Sequence, residues 1–189
     1  MHFQYLDIET LQEEEYAQAA CRLSPSRKAH IDRLRRPEDR KRSLAAGILV
    51  ERLVKSRWGI SHCQLHRREN GQPYLTGCDL FVSISHSGRY VACAVSQTPV
   101  GIDIEEVKPV DMQITRHVCT PEELQSLPQP LPEGVCREEA ILRSFYEIWT
   151  AKEAWFKKQG TGITNLKSVN TLLLEKQTVH LENYVIQIV

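Results

Sequence analysis

A short run of alternating apolar and acidic residues, VGIDIE at positions 100–105, constrains the fold of this chain more than any other stretch. Alternation with a period of two is typical of a β-strand with two unlike faces. Ile102 and Ile104 are therefore predicted to face a core, and Asp103 and Glu105 to face the other side. Two carboxylates about 7 Å apart along a strand suit a hard divalent cation. The simpler interpretation is an edge strand with two solvated acids, which these six residues alone favour.

Composition is that of an ordinary globular protein. Of 189 residues, 41% are apolar and 25% are charged, which is enough for a substantial core. No apolar run reaches membrane-spanning length, and the first residues lack the basic start and apolar segment of an export signal. The six cysteines have no metal-ligand spacing, so we expect free thiols in the cytoplasm.

The charges are unevenly distributed along a chain whose formal net charge is zero. Residues 22–68 contain 14 Lys or Arg and 4 acids, whereas residues 103–147 contain 10 acids and 4 Lys or Arg. This division favours a site that binds a phosphorylated, metal-bound ligand between a basic and an acidic half. Two oppositely charged solvated surfaces are the alternative. A nucleic-acid module is a further one, although no recognised binding motif accompanies the basic stretch.

Two helices are predicted in the basic half. Ser24 and Pro25 offer an N-cap and a first-turn proline, and a second helix is expected over Pro37–Trp58, ended by Gly59. If these helices pack together, their cationic side chains would converge on one phosphate; otherwise they are simply solvated. These side chains are Arg27, Lys28, His30, Arg40 and Arg42.

The middle of the chain is predicted to be β-structure. Strands are expected over residues 63–66, 80–85 and 90–96, with His86 in a polar loop of the last hairpin. A histidine in such a loop can bind a phosphate, although it is more often just exposed.

The second half begins with a predicted helix start at Thr120, followed by a proline-rich loop over residues 126–134 and a long helix over 137–159. Phe145, Trp149, Glu153 and Lys157 then share one helix face. An exposed pair between Glu153 and Lys157 is the alternative reading of that face. Alternation after residue 168 predicts further strands.

Three motifs together resemble the 4′-phosphopantetheinyl transferase superfamily, in its larger branch typified by surfactin-synthetase activators. They are GQPY at 71–74 with FVSISHS at 81–87, VGIDIE at 100–105, and FYEIWTAKEAWFK at 145–157. The resemblance extends over residues 24–162. It implies Mg²⁺-dependent transfer of phosphopantetheine from coenzyme A to a serine of an acyl or peptidyl carrier protein, releasing adenosine 3′,5′-bisphosphate. A coenzyme A or nucleotide binding protein without transferase activity is the alternative.

The resemblance also implies the roles of individual residues. Asp103, Glu105 and Glu153 match the metal-binding carboxylates, and Glu153 is our first choice as general base. Lys157 matches the lysine at the reacting phosphate. The remaining residues that match coenzyme A contacts are Ser85 and His86 at the phosphates, Arg27, His30 and Ser43 at the 3′-phosphate, and Gln72 and Pro73 on the adenine side.

The chain departs from the family pattern at three places. Family members often carry lysine where this chain has His30 and Gln72, so phosphate binding there is expected to be weaker or to involve neighbours such as Lys28. The part after Gly162 has no clear match to the family's closing strands.

For the architecture we expect an α+β fold of two pseudo-symmetric lobes, residues 1–98 and 99–189. Each lobe would be an antiparallel sheet packed on a long helix, with the active site in the cleft between them. The first lobe would supply cations and the second the carboxylates of one catalytic unit. A monomer that binds neither nucleic acid nor membrane is expected, with its carrier docked near residues 112–124, assisted by Lys108 and Arg116.

Overall fold

The computed structural model describes residues 1–128 and 137–189, and of Arg137 and Glu138 the backbone alone. The loop predicted over 126–134 falls largely outside these residues. The helices are α1 (Glu13–Cys21), α2 (Pro25–Asp32), α3 (Pro37–Trp58), α4 (Thr115–Val118), α5 (Pro121–Ser126) and α6 (Arg137–Gln159). The strands are β1 (His2–Asp7), β2 (Gln64–Arg67), β3 (Pro73–Thr76), β4 (Phe81–Ser87), β5 (Tyr90–Ser96), β6 (Ile102–Glu106), β7 (Gln177–Leu181) and β8 (Tyr184–Ile188).

A first antiparallel sheet, in the order β1-β5-β4, packs on helix α3. Helix α3 begins with a first-turn proline and ends at Gly59, which takes the left-handed conformation at φ 68° as predicted. Its buried face, which includes Ala45, Leu49 and Leu53, meets alternate residues of the central strand β5 in one apolar core. A separate antiparallel hairpin of β2 and β3 lies beside this sheet.

A second antiparallel sheet, in the order β6-β8-β7, packs on helix α6. Strand β8 is buried along its whole length, and Ile102 and Ile104 of β6 are fully buried, as the alternation predicted. The α+β class and the antiparallel sheets on long helices are therefore confirmed.

Gly101 brings the second sheet unusually close to helix α6. A Cβ atom at this residue would lie 1.8 Å from the carbonyl oxygen of Ala154 and 2.9 Å from the backbone nitrogen of Lys158. Both neighbours are backbone atoms in the last two turns of α6, so neither can turn aside as a flexible side chain would. Glycine is the residue that permits this approach.

Serine side chains connect strand β4 of the first sheet to strand β6 of the second. Ser83 Oγ accepts a hydrogen bond from the Ile102 nitrogen at 3.0 Å. Ser87 Oγ likewise accepts one from the Glu106 nitrogen at 3.1 Å. Backbone N–H groups of β6 that would otherwise be unpaired are thus satisfied by hydroxyl groups.

A buried ion pair links α5 to α6. The ammonium of Lys152 lies 2.7 Å from Glu123 Oε2 and donates to the carbonyl oxygens of Val118, Leu166 and Val169 at 2.8, 3.0 and 2.7 Å. Both side chains have no solvent exposure. Burial raises the pKa of Glu123, but hydrogen bonds from Lys152 and neighbouring groups outweigh this and lower the pKa below its usual value.

Two predictions about local structure were wrong. His86 is not in a loop, because β4 continues to Ser87 and pairs His86 with Val91, leaving a two-residue turn at Gly88 and Arg89. The apolar alternation near residue 170 is not a strand but a 3₁₀ turn, Thr171–Leu173, capped by the Asn170 side chain.

None of the helices in residues 1–128 and 137–189 combines the length and the apolar character that crossing a bilayer requires.

We expect Gly101→Ala to lower the free energy of unfolding by at least about 1–3 kcal/mol, because a methyl group there overlaps the backbone of α6. Urea unfolding of the variant would measure this. Gly47→Ala is a suitable control, because its added Cβ meets only the side chain of Arg27, at an ordinary 3.5 Å, and alanine favours a helix. An unchanged unfolding midpoint for Gly101→Ala would contradict the close approach.

Lys152→Met should destabilise the protein by about 3–5 kcal/mol, because Glu123 would remain buried without its partner. The double variant Lys152→Met with Glu123→Gln should recover part of that loss. Lys55→Met, at an exposed lysine of α3, should change the free energy of unfolding by less than about 0.5 kcal/mol. Equal unfolding midpoints for the two lysine variants would show that the buried pair contributes little.

Candidate active site

A large cavity lies where α2, α3, the β2–β3 hairpin, β4, β6 and the end of α6 meet. Its volume is about 890 Å³, within the range of small-molecule sites. Every residue to which the family resemblance gave a role lines this cavity. These residues are Arg27, His30, Ser43, Gln72, Pro73, Ser85, His86, Asp103, Glu105, Glu153 and Lys157.

Three carboxylates form one group in the cavity. Asp103 and Glu105 come from the same face of β6 and Glu153 from α6, and one oxygen from each lies within 4.8 Å of the others. Asp103 is 1% exposed, and its Oδ2 is buried without a hydrogen-bond partner among the described residues. An unsatisfied carboxylate oxygen in an all-oxygen set fits a hard cation such as Mg²⁺.

The pKa shifts of these carboxylates also fit a bound cation. Burial, followed by the charge of Asp103, raises the pKa of Glu105 to about 7. The same two causes, in the same order, raise the pKa of Glu153. Ionisation of Glu105 and Glu153 is thus opposed by burial and by the charge of Asp103, and a divalent cation among the three carboxylates would remove that opposition.

Lys157 is directed into the cavity rather than along the surface of α6. Its ammonium lies 2.6 Å from Asp103 Oδ1 and 2.8 Å from Ser85 Oγ, and Ser85 Oγ itself donates to Asp103 Oδ1 at 2.6 Å. The surface pair between Glu153 and Lys157 is therefore wrong. Lys157 instead pairs with Asp103 of strand β6.

The helix face predicted from spacings of four is confirmed. Phe145 is fully buried, and the Trp149 indole Nε1 donates to Glu153 Oε1 at 2.6 Å. Trp149 thus orients the carboxylate of Glu153, which lies one turn further along α6 and lines the cavity.

A cationic region forms the other part of the cavity. Arg27 of α2 is 5% exposed, and its guanidinium donates to the backbone oxygen and hydroxyl of Ser43 in α3. Burial, and then the charge of Arg67, lowers the pKa of Arg27 to about 10. The same causes, with Arg27 added, lower the pKa of His30.

The β2–β3 turn and the end of α6 close the cavity on another side. Gly160 ends α6 in the left-handed conformation at φ 69°, and a Cβ atom there would lie 2.7 Å from Gln72 Nε2. Gln72 and Pro73 are therefore held beside the helix end, in the cavity wall where they were expected to contact adenine.

His86 also faces the cavity, although from a strand. Burial of its imidazole lowers its pKa, and the charges of Arg42 and Lys157 lower it further. A neutral imidazole can still donate one hydrogen bond to an anion.

The structure also identifies site residues that the sequence analysis missed. Ser87 Oγ donates to Glu105 Oε2 at 2.9 Å, and Ser83 anchors the start of β6. The spacing of Ser83, Ser85 and Ser87 by two was a signal for a shared hydroxyl face. Arg67 lines the cavity as well. It was one of many arginines in the basic stretch, with nothing in the sequence to single it out.

Three of the cations expected to converge on a phosphate do not line the cavity. Lys28 lies 3.6 Å from Asp32, Arg40 donates to the Leu34 carbonyl, and Arg42 pairs with Asp39. Lys28 thus lies outside the cavity that His30 lines.

Comparison with known proteins matches two family models to consecutive parts of the chain. The model described as 4′-phosphopantetheinyl transferase, N-terminal, matches residues 10–98. The model described as 4′-phosphopantetheinyl transferase superfamily matches residues 99–188. The second match includes the part after Gly162, where the motifs alone had found no resemblance.

Individual relatives agree with these models. The 4′-phosphopantetheinyl transferase psf-1 of Bacillus pumilus is 33% identical over 145 residues, 75% of this chain and 60% of the relative. Sfp of Bacillus subtilis (strain 168) is 29% identical over 163 residues, which is 85% of this chain and 70% of Sfp. A further Bacillus subtilis 4′-phosphopantetheinyl transferase is 30% identical over 145 residues, which is 75% of this chain and 62% of the relative. The chain thus spans less than two thirds of the first and third of these relatives.

Glu105→Gln should weaken the binding of Mg²⁺ or Mn²⁺ by at least about tenfold, because it removes one charged ligand of the carboxylate group. Calorimetry with Mg²⁺, or the electron paramagnetic resonance of Mn²⁺, would measure the loss. Glu106→Gln is a matched control on the same strand, since Glu106 pairs with Lys108 outside the group. Equal metal affinity in the two variants would contradict the assignment.

Proposed function

Since the chain belongs to the 4′-phosphopantetheinyl transferase superfamily, in its Sfp-like branch, we propose that it transfers 4′-phosphopantetheine from coenzyme A to a serine of a carrier protein. The reaction releases adenosine 3′,5′-bisphosphate and requires Mg²⁺. One observation carries the proposal: three clustered carboxylates, Lys157 and a separate cationic region line a single cavity. This is the arrangement that a metal-bound diphosphate with a second, distant phosphate requires.

The carboxylates Asp103, Glu105 and Glu153 would hold the metal ion. When bound, Mg²⁺ supplies positive charge that makes the attacked phosphorus more electrophilic and stabilises the leaving bisphosphate. The serine oxygen of the carrier forms the new bond to the β-phosphorus of coenzyme A, and the bond from that phosphorus to the departing nucleotide breaks.

Glu153 is the proposed general base for the carrier serine, directly or through a water molecule. The indole of Trp149 orients its carboxylate at 2.6 Å, and its raised pKa makes it a better proton acceptor than a solvated glutamate. Lys157, held by Ser85 and Asp103, would neutralise charge on the transferred phosphoryl group.

The remaining nominated residues would position coenzyme A. Ser85 and His86 would contact its diphosphate, and Gln72 and Pro73 would line the adenine side. Arg27, His30 and Ser43 would bind the 3′-phosphate, at the cationic region of the cavity. Their contribution is orientation of the donor rather than chemistry.

We also propose the finer architecture predicted above: pseudo-symmetric lobes of residues 1–98 and 99–189 that enclose the cavity and act together. The junction of the two family matches between residues 98 and 99 supports that boundary.

The five described cysteines are free, which fits the proposed cytoplasmic location. A monomeric state and a carrier contact near residues 112–124 are part of the same proposal. Met112 is 37% exposed there.

Incubation with coenzyme A, Mg²⁺ and a panel of apo-carriers should produce the mass gain of one phosphopantetheine on at least one carrier. Asp103→Ala should abolish this transfer, because it removes a metal ligand and the partner of Lys157. Asp103→Asn, which keeps the shape of the side chain, should be similarly inactive, and circular dichroism would verify that both variants fold.

Full transfer by either variant would disprove the metal assignment. Coenzyme A binding by the wild-type protein with no mass gain on any carrier would instead favour a binding protein without transferase activity.

A further inference from the structure

A carboxylate outside the metal group also lines the cavity. It belongs to Asp39, in the first turn of α3. An anionic ligand that enters the cavity meets this charge, which would weaken binding if it were left uncompensated. Arg42, one turn further along α3, compensates it, because its Nη2 atom lies 2.5 Å from Asp39 Oδ1.

Arg42 also reaches the turn between β4 and β5. Its Nη1 atom donates a hydrogen bond to the carbonyl oxygen of Gly88 at 2.8 Å. The Arg42 side chain is only 17% exposed, and hydrogen bonds from a charged group are stronger than those between neutral groups. One guanidinium therefore joins the first turns of α3, through Asp39, to the β4–β5 turn.

The β4–β5 turn packs against the second sheet as well. Gly88 has φ 53°, and a Cβ atom there would overlap the hydroxyl of Tyr184 and lie 2.9 Å from Glu106 Oε2. Contacts from β6, from β8 and from Arg42 of α3 thus together determine the position of this turn.

His86 is the cavity residue that this arrangement places. It lies two residues before Gly88 in the same hairpin and lines the cavity, as Asp39 does. Burial lowers the pKa of His86, the charge of Arg42 lowers it further, and the charge of Asp39 raises it. The imidazole therefore lies within the electrostatic reach of both members of the ion pair.

From these contacts we propose that Arg42 is a positioning residue of the site. It holds the β4–β5 turn to α3, so that His86 keeps its place in the cavity, and it compensates the charge of Asp39. Because Arg42 does not line the cavity, it acts through these residues and not by contact with the ligand. The inference rests on the proposed function for the identity of the ligand, coenzyme A.

Arg42→Ala should raise the KM for coenzyme A by at least about tenfold, because His86 loses its support and Asp39 is left unpaired beside an anionic donor. The value of kcat should stay nearly unchanged, since the metal group and Lys157 are retained. Arg42→Lys should recover only part of the loss. Lysine keeps the charge but has a single nitrogen with which to reach both Asp39 and Gly88.

A double variant, Arg42→Ala with Asp39→Asn, separates the two parts of this role. Calorimetry with coenzyme A should give it a higher affinity than Arg42→Ala, because the unpaired carboxylate is removed. Its affinity should remain below that of the wild-type protein, because the contact with Gly88 is still lost. Equal affinity in the double and single variants would overturn the compensation of Asp39, and wild-type affinity in the double variant would overturn the role of the turn.

Lys41→Ala is the matched control. Lys41 is the adjacent cation of α3, pairs with Glu13 of α1 at 2.8 Å and does not line the cavity. Its loss should leave the affinity for coenzyme A unchanged, and urea unfolding would verify that every variant folds. The same loss of affinity in Lys41→Ala as in Arg42→Ala would overturn the assignment of Arg42.

Nuclear magnetic resonance of the His86 ring tests the inference without any ligand. The ring signals, assigned by comparison with His86→Gln, should shift in Arg42→Ala, and the pKa of His86 should rise because a nearby positive charge is removed. The other ionisable groups that act on this imidazole or respond to it are retained in that variant. They are Asp39 of α3, Lys157 of α6 and His30 of α2.

In Lys41→Ala the His86 signals should match those of the wild-type protein. Unchanged His86 signals in Arg42→Ala would overturn the positioning role. If the wild-type protein modifies no carrier, the proposed function fails while this comparison still decides the role of Arg42.

Discussion

The close approach of strand β6 to helix α6 at Gly101 is the constraint on which the site depends. Two backbones meet there at a distance that excludes even a methyl group. Because β6 is held against the helix at this point, Asp103 and Glu105 come within reach of Glu153, the residue directly before Ala154 in α6. The clustering of these three carboxylates is therefore a consequence of how the backbone of β6 packs against α6.

The serines of β4 add the second constraint. Ser83 and Ser87 accept hydrogen bonds from backbone N–H groups of β6, as the carbonyl oxygens of a neighbouring strand would. Ser85 and Ser87 also donate hydrogen bonds to the carboxylates of β6. Ser85 contacts both Asp103 and Lys157, so it sets the position of one charge relative to the other. The polar junction of the two sheets and the candidate site thus share these residues.

Local sequence patterns predicted well those features of the fold that depend on a single segment of the chain. Pro37 and Gly59 at the ends of α3, Gly160 after α6, and the alternation in β6 correspond to the observed elements. Features that depend on distant pairing were not predictable, including β1 beside β5 and the burial of Lys152 against Glu123. The nominated site residues do line one cavity, but Arg67 was missed because only the folded β2–β3 turn distinguishes it from other arginines.

The second sheet has a consequence for the order of folding. Strand β6 is an edge strand whose backbone partner in the described chain is β8, with Ile102 opposite Ile188, 86 residues later. Helix α3 and the β4–β5 hairpin, by contrast, form from local contacts. Closing so long a loop is entropically expensive and slow, and the pairing of His2 with Val95 in the first sheet is as distant. We therefore expect nucleation in α3 and the β4–β5 hairpin, with the carboxylates of β6 acquiring their geometry later.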